Sequence, residues 1–257
     1  MSYTIQVLKM GQVEVPGPEV YWMSDWERWE TLNIWAVLIR GHGKNILINT
    51  GPPEDLTELN ACWAEAVSPR SQLIRQDSER PEEALNQVGL TVEDIDYLLI
   101  TPLQAYTTGN IQLFTNAQVC ISRRGWIEDF HAPEYEMHIP RRLRIPDETL
   151  HYLDITAPEK VRLLKDEDEI LPGLRAFWAG VHHRSSMAYC IETSRGVLIA
   201  SDAFFKYRNV EGDHPLGVGE SLAECRVTYE RVRKEADMIL PLYDPDVVNR
   251  FPSGKIE

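Results

Sequence analysis

The histidines are the first candidates among the side chains of this sequence that could do chemistry. Two of the seven are adjacent, His182 and His183, and two serines follow them, Ser185 and Ser186. An imidazole beside a serine hydroxyl is a pair that nucleophilic hydrolases use. No Gly-x-Ser-x-Gly elbow occurs in the chain, so a serine mechanism is not favoured. Apart from the adjacent pair, no two histidines have the i, i+4 or His-x-His spacing that is typical of metal sites.

Composition restricts the classes of partner. The net charge of −14 disfavours binding to nucleic acid or to an anionic membrane surface. The four cysteines are scattered without a Cys-x-x-Cys pair, which argues against a zinc ribbon or a dense disulfide framework. No apolar run approaches the roughly 20 residues of a membrane span, and the first residues lack a signal-peptide pattern. We therefore expect a cytoplasmic protein with no nucleic-acid and no membrane partner.

Short apolar runs alternate with amphipathic segments along the chain, which predicts an α/β fold. The expected strands are Tyr3–Lys9, Leu32–Arg40, Asn45–Asn49, Tyr97–Thr101, Ala117–Ser122, Val161–Leu164, Leu174–Ala179, Met187–Thr193, Gly196–Ala200 and Met238–Leu242. The expected helices are Asp55–Ala66, Glu82–Val88, Arg123–Phe130 and Leu222–Ala236. Because the strands are clustered with helices between them, we expect two mixed sheets covered by helices, a four-layer αββα sandwich forming a single domain over residues 1–257. A segment rich in Pro, His and Arg, at about 131–152, is expected to be an irregular insertion.

Six segments, in matching order and spacing, resemble motifs of the metallo-β-lactamase superfamily and, within it, the N-acyl-homoserine-lactonase-like branch. They are Asn45–Gly51, Asp94–Thr101, Gly109–Phe114, Gly180–Ser186, Ile199–Ala203, and Pro241–Pro245 with Arg250–Pro252 behind it. The resemblance extends over the whole chain and implies the αββα sandwich of that superfamily. Asn49 stands where the superfamily motif has Asp.

The same resemblance exposes a change in chemistry. The stretch Leu98–Gly109, LLITPLQAYTTG, aligns with a strand and loop that carry Thr-His-x-His-x-Asp-His in the superfamily. Five of the seven metal-ligand positions therefore hold other residues: Pro102, Gln104, Tyr106, Thr107 and Tyr243. Only His182 and Asp202 remain. Since a catalytic zinc ion normally has three protein ligands, we expect no dinuclear centre, no metal ligands and no cofactor.

Other histidines offer an alternative to that expectation. His131, His138 and His151 lie in the insertion, and one of them could complete a mononuclear site with His182 and Asp202.

The retained pair His182 and Asp202 supports two hypotheses of function. In the first, the pair and the hydroxyls of Tyr106 and Tyr243 form a hydrogen-bonded polar plug, and the protein is a small-molecule-binding or non-catalytic partner subunit. In the second, His182 is the general acid or base of a metal-independent hydrolase or lyase acting on a small ester, lactone or related carbonyl compound. Asp202 would then orient the imidazole, and the two tyrosines would polarise the carbonyl. Whether the protein is an enzyme stays open between these two.

The ligand is expected to carry a carbonyl or acyl group. Residues expected to contact it, besides the four above, are Gln104, Thr107, His183 and Phe205. The loop Glu211–Gly219 is expected to cover the site. Trp22, Trp26 and Trp29, with Trp35 soon after them, form a pattern more typical of a core or a subunit interface than of ligand contact. We expect a homodimer, or a hetero-oligomer with an intact homologue.

Overall fold

The computed structural model describes residues 2–131, 145–252 and 254–256, and its described residues form two β-sheets. The strands are β1 Thr4–Pro16, β2 Trp29–Gly41, β3 Lys44–Ile48, β4 Tyr97–Leu99, β5 Gln118–Ser122, β6 Val161–Leu164, β7 Glu167–Leu171, β8 Leu174–Trp178, β9 Met187–Thr193, β10 Gly196–Ser201, β11 Met238–Pro241 and β12 Lys255–Ile256. One sheet has the order β12-β1-β2-β3-β4-β5-β6 and the other has the order β11-β10-β9-β8-β7. Strands β3 to β6 are parallel, as are β10 and β11. Parallel neighbours need long crossover connections, and these connections carry most of the helices.

The helices lie in these connections and around the sheets. They are α1 Gly17–Val20, α2 Thr57–Ala66, α3 Pro81–Asn86, α4 Ala105–Thr108, α5 Arg123–Gly125, α6 Asp147–His151, α7 Tyr207–Glu211, α8 Leu222–Glu235 and α9 Val247–Arg250. Helix α5 continues to His131 and α6 to Thr156 as wider π-type turns. Buried apolar side chains from both sheets form one continuous core. In the part of the chain that the structure describes, no helix is long and apolar enough to cross a membrane.

The expected strands and helices all occur, with ends shifted by a few residues, and the mixed two-sheet fold is confirmed. The largest shift is in β1, which runs on to Pro16 instead of ending at Lys9. Gly11, at φ 142°, allows a β-bulge after Lys9, and pairing with β2 resumes beyond it. Strands β7 and β12 were not expected, because one begins with three acidic residues and the other has only two residues.

Two further expectations meet the structure in part. Of the insertion at about 131–152, residues 132–144, including His138, lie outside the described residues, whereas 147–156 are helical rather than irregular. Among the tryptophans, Trp35 packs in the core, but Trp22 and Trp26 keep 45% and 66% of their surface exposed.

Candidate ligand-binding site

The predicted site residues meet where several strands end. His182 follows β8, Asp202 follows β10 and Tyr243 follows β11. These three strands run in the same direction in the five-stranded sheet, so their carboxyl ends lie at one edge. Tyr106 lies in α4, beyond the end of β4 in the other sheet, and its ring contacts that of Tyr243. The structure therefore brings together four residues that are separated by up to 137 positions in the sequence.

The loop after β4 is fixed by Asn49. Its Nδ2 donates a hydrogen bond to the carbonyl oxygen of Thr101 at 2.8 Å, and its Oδ1 accepts one from the Thr101 N–H at 2.9 Å. Asn49 has φ 63°, a conformation that asparagine tolerates better than most residues. The Thr101 hydroxyl in turn accepts a hydrogen bond from the Met187 N–H at 2.8 Å, and it also contacts Asp202. Thr101, which precedes the cis residue Pro102, thus joins the two sheets.

Asp202 is fully buried and its carboxylate is surrounded by donors. Oδ2 accepts a hydrogen bond from Ser186 Oγ at 2.5 Å and lies 3.1 Å from His182 Nδ1. Oδ1 accepts a hydrogen bond from the Thr101 hydroxyl. Burial of a carboxylate is costly unless such contacts replace its hydration. The contact between His182 and Asp202 is therefore part of what makes this buried charge tolerable.

The turn that carries His182 is anchored by the first turn of helix α8. Val181, in the left-handed region at φ 69°, donates its N–H to Glu224 Oε2 at 2.9 Å. Arg184 makes a two-pronged ion pair with the same carboxylate, at 3.0 and 2.6 Å, and also pairs with Glu220. The two carboxylates raise the pKa of Arg184 against the opposing effect of burial. These contacts hold the His182 backbone in one position.

The serines beside the histidine pair have structural roles. Ser185 and Ser186 are both fully buried. Ser185 Oγ accepts a hydrogen bond from the Leu103 N–H at 3.0 Å, while Ser186 Oγ accepts one from the His183 N–H at 3.1 Å and donates to Asp202. Neither serine lines the adjacent cavity, which agrees with the absence of a nucleophile elbow in the sequence.

A cavity of about 120 Å³ lies against this edge, and we call it the site cavity. Its lining is Val13, Val15, Glu19, Leu32, Ile34, Trp63, Ala66, Val67, Ser71, Gln104, Tyr106, His182, His183, Phe205, Val218 and Tyr243. Aliphatic side chains from β1, β2 and the end of α2 form one wall of the cavity. Most of the cavity surface is therefore apolar. The polar groups come mainly from the loops at the ends of the strands.

Aromatic rings form a continuous series along the site cavity. In order of contact, with distances between ring centroids of 5.6, 6.1, 4.8, 4.8 and 4.1 Å, they are Trp63, Tyr106, Tyr243, Phe205, His182 and His183. Three of the five contacts are edge-to-face, the geometry that aromatic pairs prefer. This packing holds His182 and both tyrosines in fixed orientations toward the cavity.

Burial raises the pKa of both Tyr106 and Tyr243, and the negative charge of Asp202 adds to the rise. Both phenols are therefore neutral hydrogen-bond donors at physiological pH. The Tyr243 hydroxyl faces that of Tyr106, but among the described residues it makes no hydrogen bond of ordinary geometry. His182 is similar, because its Nε2 bonds to no described residue once Nδ1 is taken by Asp202. Both Tyr243 and His182 line the site cavity, and each has one polar atom without a hydrogen bond of ordinary geometry to a described residue.

The other expected contact residues divide into two groups. Gln104, His183 and Phe205 line the site cavity, as does Val218 of the expected covering loop Glu211–Gly219. Thr107 does not line it, because its hydroxyl is used within its own loop, 2.6 Å from the carbonyl oxygen of Pro102 and 2.8 Å from that of Gln104. The covering loop is tied to the segment around α1 by hydrogen bonds from Val218 N–H to the Glu19 carbonyl and from Trp22 N–H to the Pro215 carbonyl.

Sequence reasoning missed Glu19, Trp63 and Ser71 as cavity residues. Trp63 belongs to the expected helix Asp55–Ala66, and the sequence pattern does not specify what its ring contacts. The sequence signal for Glu19 is weak, because Glu19 is one of two acidic residues, with Glu14, in the otherwise apolar stretch from Val13 to Val20.

Solved structures with known roles share this architecture. An N-acyl homoserine lactone hydrolase with the product N-hexanoyl-L-homoserine bound at its catalytic metal centre is 19% identical, with 97% of this chain and 96% of that chain covered and a TM-score of 0.77. A mutant of AiiA from B. thuringiensis, with N-decanoyl-L-homoserine at its active site, is 18% identical over 97% and 96%, with a TM-score of 0.76. A hydrolase of the beta lactamase superfamily, AbOPH, is 14% identical over 90% and 81%, with a TM-score of 0.58. The chain has the metallo-β-lactamase fold.

No protein-family model and no curated protein matches the sequence. At identities below a fifth, the structural likeness establishes the metallo-β-lactamase fold and leaves function to the site.

The residues that the structure describes supply too few ligands for the zinc centre that the metallo-β-lactamase fold implies. Within residues 2–131, 145–252 and 254–256, no group of three or more His, Cys, Asp or Glu side chains is arranged to hold a metal ion. His182 and Asp202 supply one imidazole and one carboxylate, and the Thr107 hydroxyl is already bonded to carbonyl oxygens. Of the histidines in the insertion, His131 contacts Trp126 and His151 contacts Thr156, away from the cavity.

Proposed function

We propose that the protein binds a small molecule with a carbonyl or acyl group in the site cavity and does not perform metal-dependent hydrolysis. The observation that carries the proposal is the buried hydroxyl of Tyr243, a residue that lines an apolar cavity: this hydroxyl faces that of Tyr106 but has no hydrogen bond of ordinary geometry with any described residue. A buried polar group without a partner is costly, so a ligand carbonyl that accepts from it is favoured. Two similar proteins hold acyl homoserines in their structures, which supports an acyl group in the ligand.

The size of the cavity limits the buried part of the ligand. A cavity of about 150 Å³ is known to hold benzene in another protein, and the site cavity has about 120 Å³. A chain of about five carbon atoms with one polar group therefore matches it. Beyond that length, the ligand must extend past the cavity mouth.

The proposal includes a role as a non-catalytic subunit, in a homodimer or with an intact homologue. The exposed Trp22 and Trp26 are apolar surface that a second subunit would cover. Analytical ultracentrifugation tests this part, since a monomer at micromolar concentration would contradict a stable homodimer.

The binding test uses pentanamide, a neutral five-carbon carbonyl compound, with isothermal titration at millimolar concentration. We expect saturable binding to the wild type and at least fivefold weaker binding to Tyr243→Phe, which deletes the partnerless hydroxyl. Tyr189→Phe is the control, because the Tyr189 hydroxyl donates to the Ile100 carbonyl at 3.0 Å and does not line the cavity. Absence of saturable binding to the wild type would overturn the proposal.

The distance from His182 to Asp202 favours a second candidate function, a metal-independent hydrolase or lyase. Asp202 holds Nδ1, while Nε2 is available at the cavity, which is the arrangement of a general base oriented by a carboxylate. Hydrolysis of a small activated ester in the presence of a chelator tests it. Turnover by the wild type that is lost in His182→Gln supports this function, and turnover that survives the substitution contradicts it.

A further inference from the structure

One acidic side chain in the site cavity lacks a counter-charge. Glu19 follows β1, in the short helix α1, and lines the cavity. Its backbone carbonyl accepts a hydrogen bond from Val218, but its carboxylate makes no hydrogen bond or ion pair with any residue that the structure describes. The two histidines that line the same cavity, His182 and His183, pair instead with Asp202 and Glu220. Glu19 is therefore an ionisable group in an apolar cavity with only a distant electrostatic partner, His182.

The cavity contains no fixed positive charge that could serve Glu19. None of its described lining residues is a lysine or an arginine. Arg184, the basic residue closest in sequence to the histidines, is used by Glu220 and Glu224. The other acidic groups near the cavity are Asp202 and Glu220, which contact its lining residues His182 and His183, so acidic groups predominate around the site. Such a site repels a carboxylate ligand and attracts a cation.

Aromatic faces supply the second part of the argument. The rings of Trp63, Tyr106, Phe205 and Tyr243 line the same cavity as Glu19. A cation is stabilised over such rings by their quadrupoles, most strongly where water is displaced. The aliphatic wall formed by Val13, Val15, Leu32 and Ile34 suits a hydrocarbon body. Acid, rings and aliphatic wall together match a molecule with a positive head and an apolar tail.

We propose that the ligand of the site cavity is a hydrophobic amine, whose ammonium group pairs with Glu19 while its apolar body occupies the cavity. The inference rests on the proposed function, binding of a small molecule in this cavity, and adds a cationic amino group to the ligand described there. Burial raises the pKa of Glu19, and the electrostatic effect of His182 partly offsets that rise. A cation beside the ionised carboxylate therefore stabilises it.

The experiment compares probes of the same length and different charge: pentylamine, pentanol and pentanoate, titrated into the whole protein at pH 7.5. We expect pentylamine to bind at least tenfold more tightly than pentanol, and pentanoate to bind least tightly. In Glu19→Gln the preference for pentylamine over pentanol should fall below threefold, because the ammonium group loses its carboxylate partner. Equal binding of pentylamine and pentanol by the wild type, or a preference that survives Glu19→Gln, would overturn the inference.

Glu14→Gln is the matched control for loss of one negative charge. Glu14 lies on β1, the strand that precedes α1, but it is partly exposed, pairs with Arg70 and does not line the cavity. This variant should keep the full preference for pentylamine, and a loss of preference equal to that of Glu19→Gln would contradict a specific contact. Pentanamide separates the two proposals. If pentanamide binds and pentylamine is not preferred to pentanol, only the amine inference fails, whereas if no probe binds, both fail.

Discussion

His182 Nδ1 lies 3.1 Å from Asp202 Oδ2, and the Asp202 carboxylate is fully buried. The same carboxylate accepts hydrogen bonds from Ser186 and from Thr101, the residue that links the end of β4 to the second sheet. The Asp202 carboxylate therefore holds a residue that lines the site cavity, His182, and also takes part in the junction of the two sheets. Changes to it should affect folding and the site together.

Asp202→Asn should destabilise the protein strongly. An asparagine amide puts a donor where three donors now converge, so hydrogen bonds from Ser186, Thr101 or His182 are lost. We expect a loss of about 3 kcal/mol in the free energy of unfolding, as for other broken buried charge networks. Urea denaturation followed by circular dichroism measures it.

Asp166→Asn is the control for that substitution. Asp166 is half exposed and pairs with Arg124 at the surface, so its loss should change stability by less than about 1 kcal/mol. Equal effects of the two substitutions would contradict the role given to Asp202.

Tyr243→Phe should leave stability nearly unchanged, although the side chain is buried. Its hydroxyl has no hydrogen-bond partner of ordinary geometry among the described residues, so deletion breaks no such bond. Tyr189→Phe should cost about 1 kcal/mol, because the Tyr189 hydroxyl donates to the Ile100 carbonyl. Thermal unfolding of both variants checks the contrast. A larger loss in Tyr243→Phe than in Tyr189→Phe would mean that the Tyr243 hydroxyl is bonded in solution.

The difference in stability between Glu19→Gln and the wild type should increase with pH. Burial raises the pKa of Glu19 in the folded protein above that in the unfolded chain. The corresponding contribution to stability is complete below the unfolded pKa and is lost as the pH rises through the folded pKa. Glutamine removes this penalty, so the variant should melt above the wild type at pH 8 and close to it at pH 4.

The difference in stability between Glu14→Gln and the wild type should have the opposite sign. The hydrogen bond from Arg70 lowers the pKa of Glu14, so its contribution to stability is present above the unfolded pKa and lost in acid. This variant should melt below the wild type at pH 8. The same trend in both variants would contradict the assignment for Glu19.

Protein expressed with zinc, manganese and iron supplied, and purified without a tag, should hold less than about a tenth of an equivalent of metal. The reason is the shortage of ligands, since His182 and Asp202 alone provide one imidazole and one carboxylate. Mass spectrometry of the metal content measures it. One tightly held equivalent would instead indicate a rebuilt site, and substitution of His138 would then test whether the insertion supplies a ligand.

Much of the fold could be predicted from the sequence because its signals are local. The expected strand Met187–Thr193, a run of apolar residues, coincides with β9, and the expected helices Asp55–Ala66 and Leu222–Ala236 match α2 and α8 within two residues. Strand β7 escaped prediction because its stability comes from pairing with β8, which no local pattern encodes. The motif order also placed His182 and Asp202 at one site before any distance was known.

The sequence by itself determined the residue types at the positions aligned with the metal ligands, and so the replacement of five of the seven. Only the tertiary structure decided which of these groups have partners. The hydroxyls of Thr107 and Ser186 form hydrogen bonds within the protein. Tyr243 and Glu19 line the cavity, and among the described residues the Tyr243 hydroxyl and the Glu19 carboxylate have no hydrogen bond of ordinary geometry. The physical reason is that hydrogen bonding and desolvation depend on atoms brought within a few ångströms by separate strands, and sequence spacing does not specify those contacts.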